Sequence, residues 1–138
     1  MAEILILDAE ALSALAHATT RSVLAQRARA ILAVAHELHA LVRVPAPVLA
    51  EVYRGGGRDA AVDHVLDGKG IRVIDLTAGI ARRAGALLSR AKLDSSYAID
   101  AFVVATAAAL GGSIIATHDP KDIGALAADD PTIRVFAI

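Results

Sequence analysis

The sequence predicts an α/β fold in which helices cover both faces of a mostly parallel sheet. Short apolar runs alternate along the chain with longer segments of helical periodicity, an order typical of parallel sheets. The runs are apolar at consecutive positions, as in strands that are buried on both faces. A length of 138 residues, 56% of them hydrophobic, predicts a single domain over residues 1–138.

The chain opens with an apolar strand, Ile4–Leu7, that ends at Asp8. A helix is expected from Glu10, and a second helix from about Arg21 to Ala40 with Thr20 as its N-cap. The apolar positions of this second helix recur at steps of four and three: Leu24, Ala28, Ile31, Ala35 and Leu38. Such a one-sided stripe belongs either to the core or to a dimer interface.

The middle of the chain continues the alternation. Leu41–Val44 reads as a strand, and Pro47 suits the first turn of the helix that follows. The glycines 55–57 end that helix. A short helix over Asp59–Leu66 and a strand over Ile71–Ile74 come next.

Two capped helices and two more strands complete the chain. Thr77 is expected to cap a helix that ends near Lys92, and Ser95 or Ser96 to cap an apolar helix that ends at Leu110. The remaining elements are predicted as strand, helix and strand: Ser113–Ala116, Lys121–Ala128 and Ile133–Ala137.

Composition excludes several kinds of site. The chain has no cysteine, which rules out disulfides, thiolate zinc sites and cysteine nucleophiles. Aromatic residues make up 3%, which argues against a base-stacking platform. A net charge of -1 gives no global attraction to nucleic acid, so such binding needs a local basic patch or a metal. We see no signal peptide or membrane span and expect a soluble, cytoplasmic protein.

Four carboxylates stand out by their position. Asp8 and Asp119 each follow a predicted strand, and ligands of α/β sheets bind at the carboxyl ends of the strands. Glu51 borders the apolar face of its helix, and Asp100 is the only charged residue in an apolar helix. Each has a simpler interpretation. Asp8 and Asp119 would serve as helix N-caps, Glu51 as an exposed helix residue, and Asp100 as the partner of an arginine.

Convergence of these four acids would favour a metal site. Two carboxylates about 5 Å apart repel by roughly 3 kcal/mol at an effective dielectric constant of about 20. Such a cluster takes up protons or binds a divalent cation, and all-oxygen ligands suit Mg²⁺ or Mn²⁺. An ion held there activates water and stabilises the charge that develops on a phosphodiester under attack.

In their order, four segments resemble the motifs of PIN domains, and in particular of VapC-type toxins from bacterial toxin–antitoxin pairs. They are Ile4-Leu5-Ile6-Leu7-Asp8-Ala9, Pro47-Val48-Leu49-Ala50-Glu51-Val52, Ile99-Asp100-Ala101 and Ile114-Ile115-Ala116-Thr117-His118-Asp119. Each segment alone is a weak signal, but the ordered set covers essentially the whole chain.

This resemblance implies a PIN-like, Rossmann-like α/β/α sandwich with Mg²⁺-dependent (or Mn²⁺-dependent) endoribonuclease activity on RNA. It implies a four-carboxylate catalytic site: Asp8, Glu51, Asp100 and Asp119. Among these, Asp8, Asp100 and Asp119 would hold the metal, and Thr117 matches a hydroxyl residue of the family expected near the substrate. The implied partners are RNA, a VapB-type antitoxin whose C-terminal tail fills the acidic site, and a second copy of the chain; no membrane is implied.

Three further residues carry open alternatives. Asp122 is either a fifth acid of the site or an ordinary first-turn helix acid, and we favour the second. Glu10 departs from the Ser, Thr or Asn that the family often has there, and we favour its turning to solvent over its joining the metal. Arg54 either contacts substrate phosphate, positions Glu51, or is a solvated arginine at a helix end.

Other polar groups are read as surface features. No third zinc ligand is evident in the sequence for His36 and His39. The basic residues on the helix before Asp100 form a solvated charged face: Arg82, Arg83, Arg90 and Lys92. His118 is read as a loop residue.

A non-catalytic PIN-like module that binds RNA or a protein is the alternative function, although it has no need of clustered carboxylates. Phosphotransfer domains rank lower, since Asp8-Ala9-Glu10 is not Asp-x-Asp and no adjacent pair of acids accompanies Asp75.

Overall fold

The computed structural model describes residues 2–17 and 22–138. Five strands form the sheet: β1 (Ile4–Leu7), β2 (Leu41–Pro45), β3 (Ile71–Ile74), β4 (Ser113–Thr117) and β5 (Ile133–Ala137). Seven α-helices are described: α1 (Ala9–His17), α2 (Val23–Glu37), α3 (Ala46–Val52), α4 (Arg58–Leu66), α5 (Ala78–Ala91), α6 (Ala98–Ala109) and α7 (Pro120–Leu126).

The sheet is parallel throughout, with strand order β3-β2-β1-β4-β5. β1 lies at the centre, where Ile6 pairs with Arg43 of β2 and with Ile115 of β4. Successive side chains of a strand point to opposite faces, and both Ile6 and Leu7 are fully buried. Both faces of the sheet are therefore covered at its centre, which confirms the predicted α/β class.

Helices surround the sheet in two groups. α1 packs against α2, α3 and α4, whereas α6 packs against α5 and α7. The stripe on α2 belongs mainly to the core, because Ala28 and Ala35 are buried and Leu24 and Ile31 pack against the core cluster. Its last member, Leu38, is 66% exposed. Within the described residues, no helix is both long and apolar enough to cross a bilayer.

The N-cap residues of two helices differ from the predicted ones. Thr20 lies outside the described residues, and the hydroxyl of Ser22 accepts the N-cap hydrogen bond of α2. The prediction that Ser95 or Ser96 caps α6 is wrong. Ser95–Tyr97 forms a 3-10 turn that Asp94 caps, because a carboxylate one residue earlier already accepts the Ser96 N–H.

The second helix also ends before Ala40. Its C-cap is Leu38, and His39 adopts the left-handed conformation with φ of 54°. A left-handed residue cannot continue a right-handed helix. α7 likewise ends at Leu126, two residues before the predicted Ala128, whereas β3 and β5 have their predicted bounds.

Gly112 permits β4 to run beside the start of β5. Its φ is +106°, and a Cβ atom there would lie 2.6–2.7 Å from atoms of Thr132, including the carbonyl oxygen. We expect Gly112→Ala to lower the free energy of unfolding by about 3 kcal/mol, since strain and a backbone clash combine. Gly111→Ala is the control, because Gly111 has φ of +84° and open space around it. Equal losses for the two variants in urea titration would refute the clash.

Candidate active site

All of the acidic residues singled out from the sequence lie at the carboxyl edge of the sheet. Asp8 follows β1 and Asp119 follows β4, the two strands between which the strand order reverses. In open α/β sheets this switch point is where ligands bind. Glu51 lies on α3, directly after β2, and Asp100 lies in the first turn of α6.

Asp8 serves local structure as well as the site. Its Oδ1 accepts a hydrogen bond from the N–H of Ala11 at 2.8 Å, so Asp8 caps α1, as its interpretation as a helix N-cap predicts. The side chain is only 4% exposed and also takes a hydrogen bond from Thr117. Burial raises the pKa of Asp8, and these two hydrogen bonds oppose that shift.

Thr117 joins Asp8 to Asp119. This residue ends β4, is fully buried, and has its hydroxyl oxygen 2.9 Å from the backbone N–H of Asp119, which donates to it. The hydroxyl therefore bonds the carboxylate of one acid and the main chain of the other. Asp119 is the N-cap residue of α7, yet its own carboxylate makes no capping bond. Unlike Asp8, Asp119 leaves its carboxylate available for a ligand.

Three carboxylates form a tight triad: Asp100, Asp119 and Asp122. Each offers an oxygen, and the three oxygens lie within 4.8 Å of one another. Asp122 occupies the first turn of α7, as expected, and it also belongs to this cluster, which is the less favoured of the two alternatives given above. The signal was present in the sequence: Asp122 comes three positions after Asp119, a spacing that returns to the same side of a helix.

Asp100 is the electrostatic centre of the site. Its pKa is raised to about 6, first by burial and then by the negative charges of four acids: Asp8, Asp119, Glu51 and Asp122. The structure thus brings the four sequence-predicted carboxylates together and adds a fifth. Among the described residues, none of the five takes part in an ion pair, so no arginine neutralises Asp100. An all-oxygen cluster without a compensating cation fits a divalent ion such as Mg²⁺ or Mn²⁺.

Comparison with known proteins identifies the fold. The family model of the PIN domain matches residues 5–127, which is most of the chain. The chain belongs to the PIN-domain family.

Two solved structures resemble this PIN domain closely in fold. The first is VapBC2 from Rickettsia felis bound to a DNA fragment from its promoter, with a TM-score of 0.70, 15% identity, and coverage of 97% of this chain and 98% of that one. The second is a toxin–antitoxin complex from Klebsiella pneumoniae, with a TM-score of 0.66, 20% identity, and coverage of 96% and 98%. No curated protein matches the sequence significantly.

Arg54 of the PIN domain binds its own helix. Its Nη1 donates to the carbonyl oxygens of Ala50 and Tyr53 at 2.8 and 2.9 Å, so the guanidinium closes the C-terminal end of α3. This matches the interpretation of Arg54 as a helix-end arginine, and its contact with substrate stays a prediction. Glu10 is exposed, as we favoured, although its charge still raises the pKa of Asp8.

The remaining polar residues do not belong to the acidic cluster. The exposed His36 and His39 have no zinc-binding group with a third ligand among the described residues. His118 is exposed, and its Nδ1 lies 3.1 Å from the carbonyl oxygen of Ile138. On the basic face of α5, Arg90 is already paired with Asp129 at 2.8 Å.

The raised pKa of Asp100 predicts how stability changes with pH in metal-free buffer. The folded state holds the Asp100 proton up to about pH 6, whereas an unfolded aspartate releases it near 3.8. Asp100 therefore stabilises the folded state fully below about pH 4. This contribution to the free energy of unfolding is lost as the pH rises through about 6. Asp100→Asn removes this pH dependence. The melting temperature of the variant, relative to that of the wild type, should therefore increase as the pH rises from 4 to 7. A constant difference across that range would contradict the assignment.

Proposed function

We propose that this PIN domain is a metal-dependent endoribonuclease and the toxin of a VapC-type toxin–antitoxin pair. The observation that carries the proposal is the convergence of five carboxylates at the strand-order switch, with no cation paired to any of them in the described part of the chain. A binding module without chemistry has no use for this repulsion, which costs stability.

The surroundings of each carboxylate determine the role that we assign to it. Asp100, Asp119 and Asp122 supply the oxygens that would hold Mg²⁺ or Mn²⁺. Asp8, predicted as a further ligand, is fixed by Ala11 and Thr117 and adds negative charge to the cluster. A bound divalent ion supplies Lewis-acid stabilisation of the attacked phosphate and lowers the pKa of water.

We assign to Glu51 the orientation of the attacking water. Glu51 is exposed, yet near enough to Asp100 to raise the pKa of that residue. A solvated carboxylate at the rim accepts a hydrogen bond from water and orients it toward the phosphorus atom. Thr117 keeps Asp8 and Asp119 in fixed positions, so that the cluster is preorganised before RNA arrives.

RNA as the substrate follows from the resemblance to VapC toxins alone. An antitoxin as the partner follows from the same resemblance, and the likeness in fold to two toxin–antitoxin complexes supports it. A cation from the antitoxin would neutralise the cluster and exclude both metal and RNA. We further propose that the chain acts as a homodimer.

Metal binding should stabilise the folded protein. A divalent ion at ten times its dissociation constant adds about 1.4 kcal/mol, which raises the melting temperature of a domain of this size by roughly 4 °C. Mg²⁺ or Mn²⁺ should produce this shift in the wild type and a much smaller one in Asp119→Asn. K⁺ at equal ionic strength is the control. An equal shift in both proteins would place the ion elsewhere.

Induced expression in bacteria tests the toxin function. The wild type should arrest growth and fragment cellular RNA, whereas Asp119→Asn should do neither at the same protein level. Glu37→Gln is the matched control, because Glu37 is an exposed acid at the end of α2. Normal growth and intact RNA with abundant folded wild-type protein would refute the proposal.

A further inference from the structure

Two arginines lie side by side on the sheet. The register of β2 and β3 pairs Arg43 with Arg72, so both side chains leave the same face from neighbouring strands, which lie about 5 Å apart. Arg43 is half-buried and Arg72 is exposed. Like charges at paired positions of a sheet are destabilising.

Nothing described in the protein neutralises this pair. Between residues 2–17 and 22–138, the ion pairs join Arg90 to Asp129 and Arg134 to Glu3, and neither Arg43 nor Arg72 takes part. Nη1 of Arg43 donates to two neutral carbonyl oxygens, those of Val42 at 2.9 Å and Gly70 at 3.1 Å. Burial and the charge of Arg72 lower the pKa of Arg43.

More basic groups lie toward the amino ends of β2 and β3, next to the arginine pair. Gly70, whose carbonyl oxygen accepts from Arg43, also lines a cavity of about 350 Å³. The polar side chains that line this cavity are those of His36, His39 and Lys69, and no carboxylate lines it. The amino ends of these strands lie opposite the acidic cluster at the carboxyl end.

We propose that Arg43 and Arg72 form a phosphate-binding subsite that holds the RNA backbone away from the cleavage site. Guanidinium groups bind phosphate oxygens in a bidentate manner, and the two carbonyls that hold Arg43 fix its orientation in advance. The five residues of β2 span about 13 Å, so a single RNA strand of a few nucleotides reaches both ends. The subsite rests on the proposed function, since it serves the same substrate.

Binding of a fluorescent, mixed-sequence single-stranded RNA of 20 nucleotides tests this subsite. All proteins carry Asp119→Asn so that the RNA stays intact, and anisotropy is followed from 50 to 300 mM salt. Arg72→Gln and Arg43→Gln should each weaken binding several-fold and reduce the slope of log K against log salt by about 0.7 for each lost phosphate contact. Arg82→Gln, an exposed arginine of α5, should bind like the parent.

Each other outcome overturns the subsite in a recognisable way. Unchanged affinity in Arg72→Gln refutes it even if the half-buried Arg43 proves necessary for folding. An equal loss in Arg82→Gln indicates unspecific attraction. A change of molecular mass in light scattering with unchanged RNA affinity assigns the pair to a subunit contact. If the wild type neither binds nor cleaves RNA, the proposed function fails as well, whereas cleavage by a wild type that binds independently of the arginines leaves that function intact.

Discussion

Asp100→Asn should abolish RNA cleavage while leaving the metal-free protein at least as stable as the wild type. Asparagine keeps the shape of the side chain but removes the charge at the centre of the acidic cluster. Loss of one of the proposed metal ligands removes on the order of 4 kcal/mol of transition-state stabilisation, which is roughly a thousandfold in rate. Stability rises because four neighbouring carboxylates no longer repel an ionised Asp100 at neutral pH.

The opposite signs of the two effects make this variant informative. A residue needed only for folding loses activity and stability together, whereas a charge needed for catalysis loses activity alone. Initial rates on labelled RNA and melting curves in EDTA measure the two quantities on one preparation. A fully active variant, or an unfolded one, would contradict the site described above.

Thr117→Val should cost roughly 3 kcal/mol of unfolding free energy and reduce cleavage by one to two orders of magnitude. Valine fills the same volume, so no cavity forms in this fully buried position. The substitution removes a donor to the buried Asp8 carboxylate and the acceptor of the Asp119 N–H. Both acids then lose the contact that fixes them.

Thr117→Ser separates the hydroxyl from the packing. Serine keeps both hydrogen bonds and loses one methyl group, so cleavage should stay near the wild-type level with a small loss of stability. Urea titration and initial rates report the two effects. If the serine variant lost as much activity as the valine variant, the hydroxyl would have no positioning role.

Local patterns in the sequence account for most of the fold. The run Ile4–Leu7 predicts a central strand because consecutive apolar residues require cover on both faces. The strand-end rule then places Asp8 and Asp119 together without any knowledge of the tertiary structure. Helix boundaries depend on which of several neighbouring polar residues caps the helix. Asp94 precedes Ser95 and Ser96 and accepts the N–H of Ser96.

The parts of the site that depend on register or on packing were not predictable in the same way. Asp122 enters the triad because α7 begins directly after Asp119, which depends on the path of the chain after β4. Arg43 and Arg72 become neighbours only through the register of β2 and β3. Asp8 has two roles, as a helix cap and as part of the acidic cluster, which the sequence presented as alternatives.

Cleavage of a mixed cellular RNA pool by the purified protein tests the acidic cluster as a metal-dependent ribonuclease site most directly. The wild type, Asp119→Asn and the surface control Glu37→Gln are compared with Mg²⁺ and with EDTA. Asp119→Asn suits this test because the Asp119 carboxylate makes no capping bond whose loss would disturb the fold. We predict cleavage by the wild type and the control in Mg²⁺ alone, and none by Asp119→Asn. Cleavage that persists in EDTA or in Asp119→Asn, or its absence from every lane, would contradict this account.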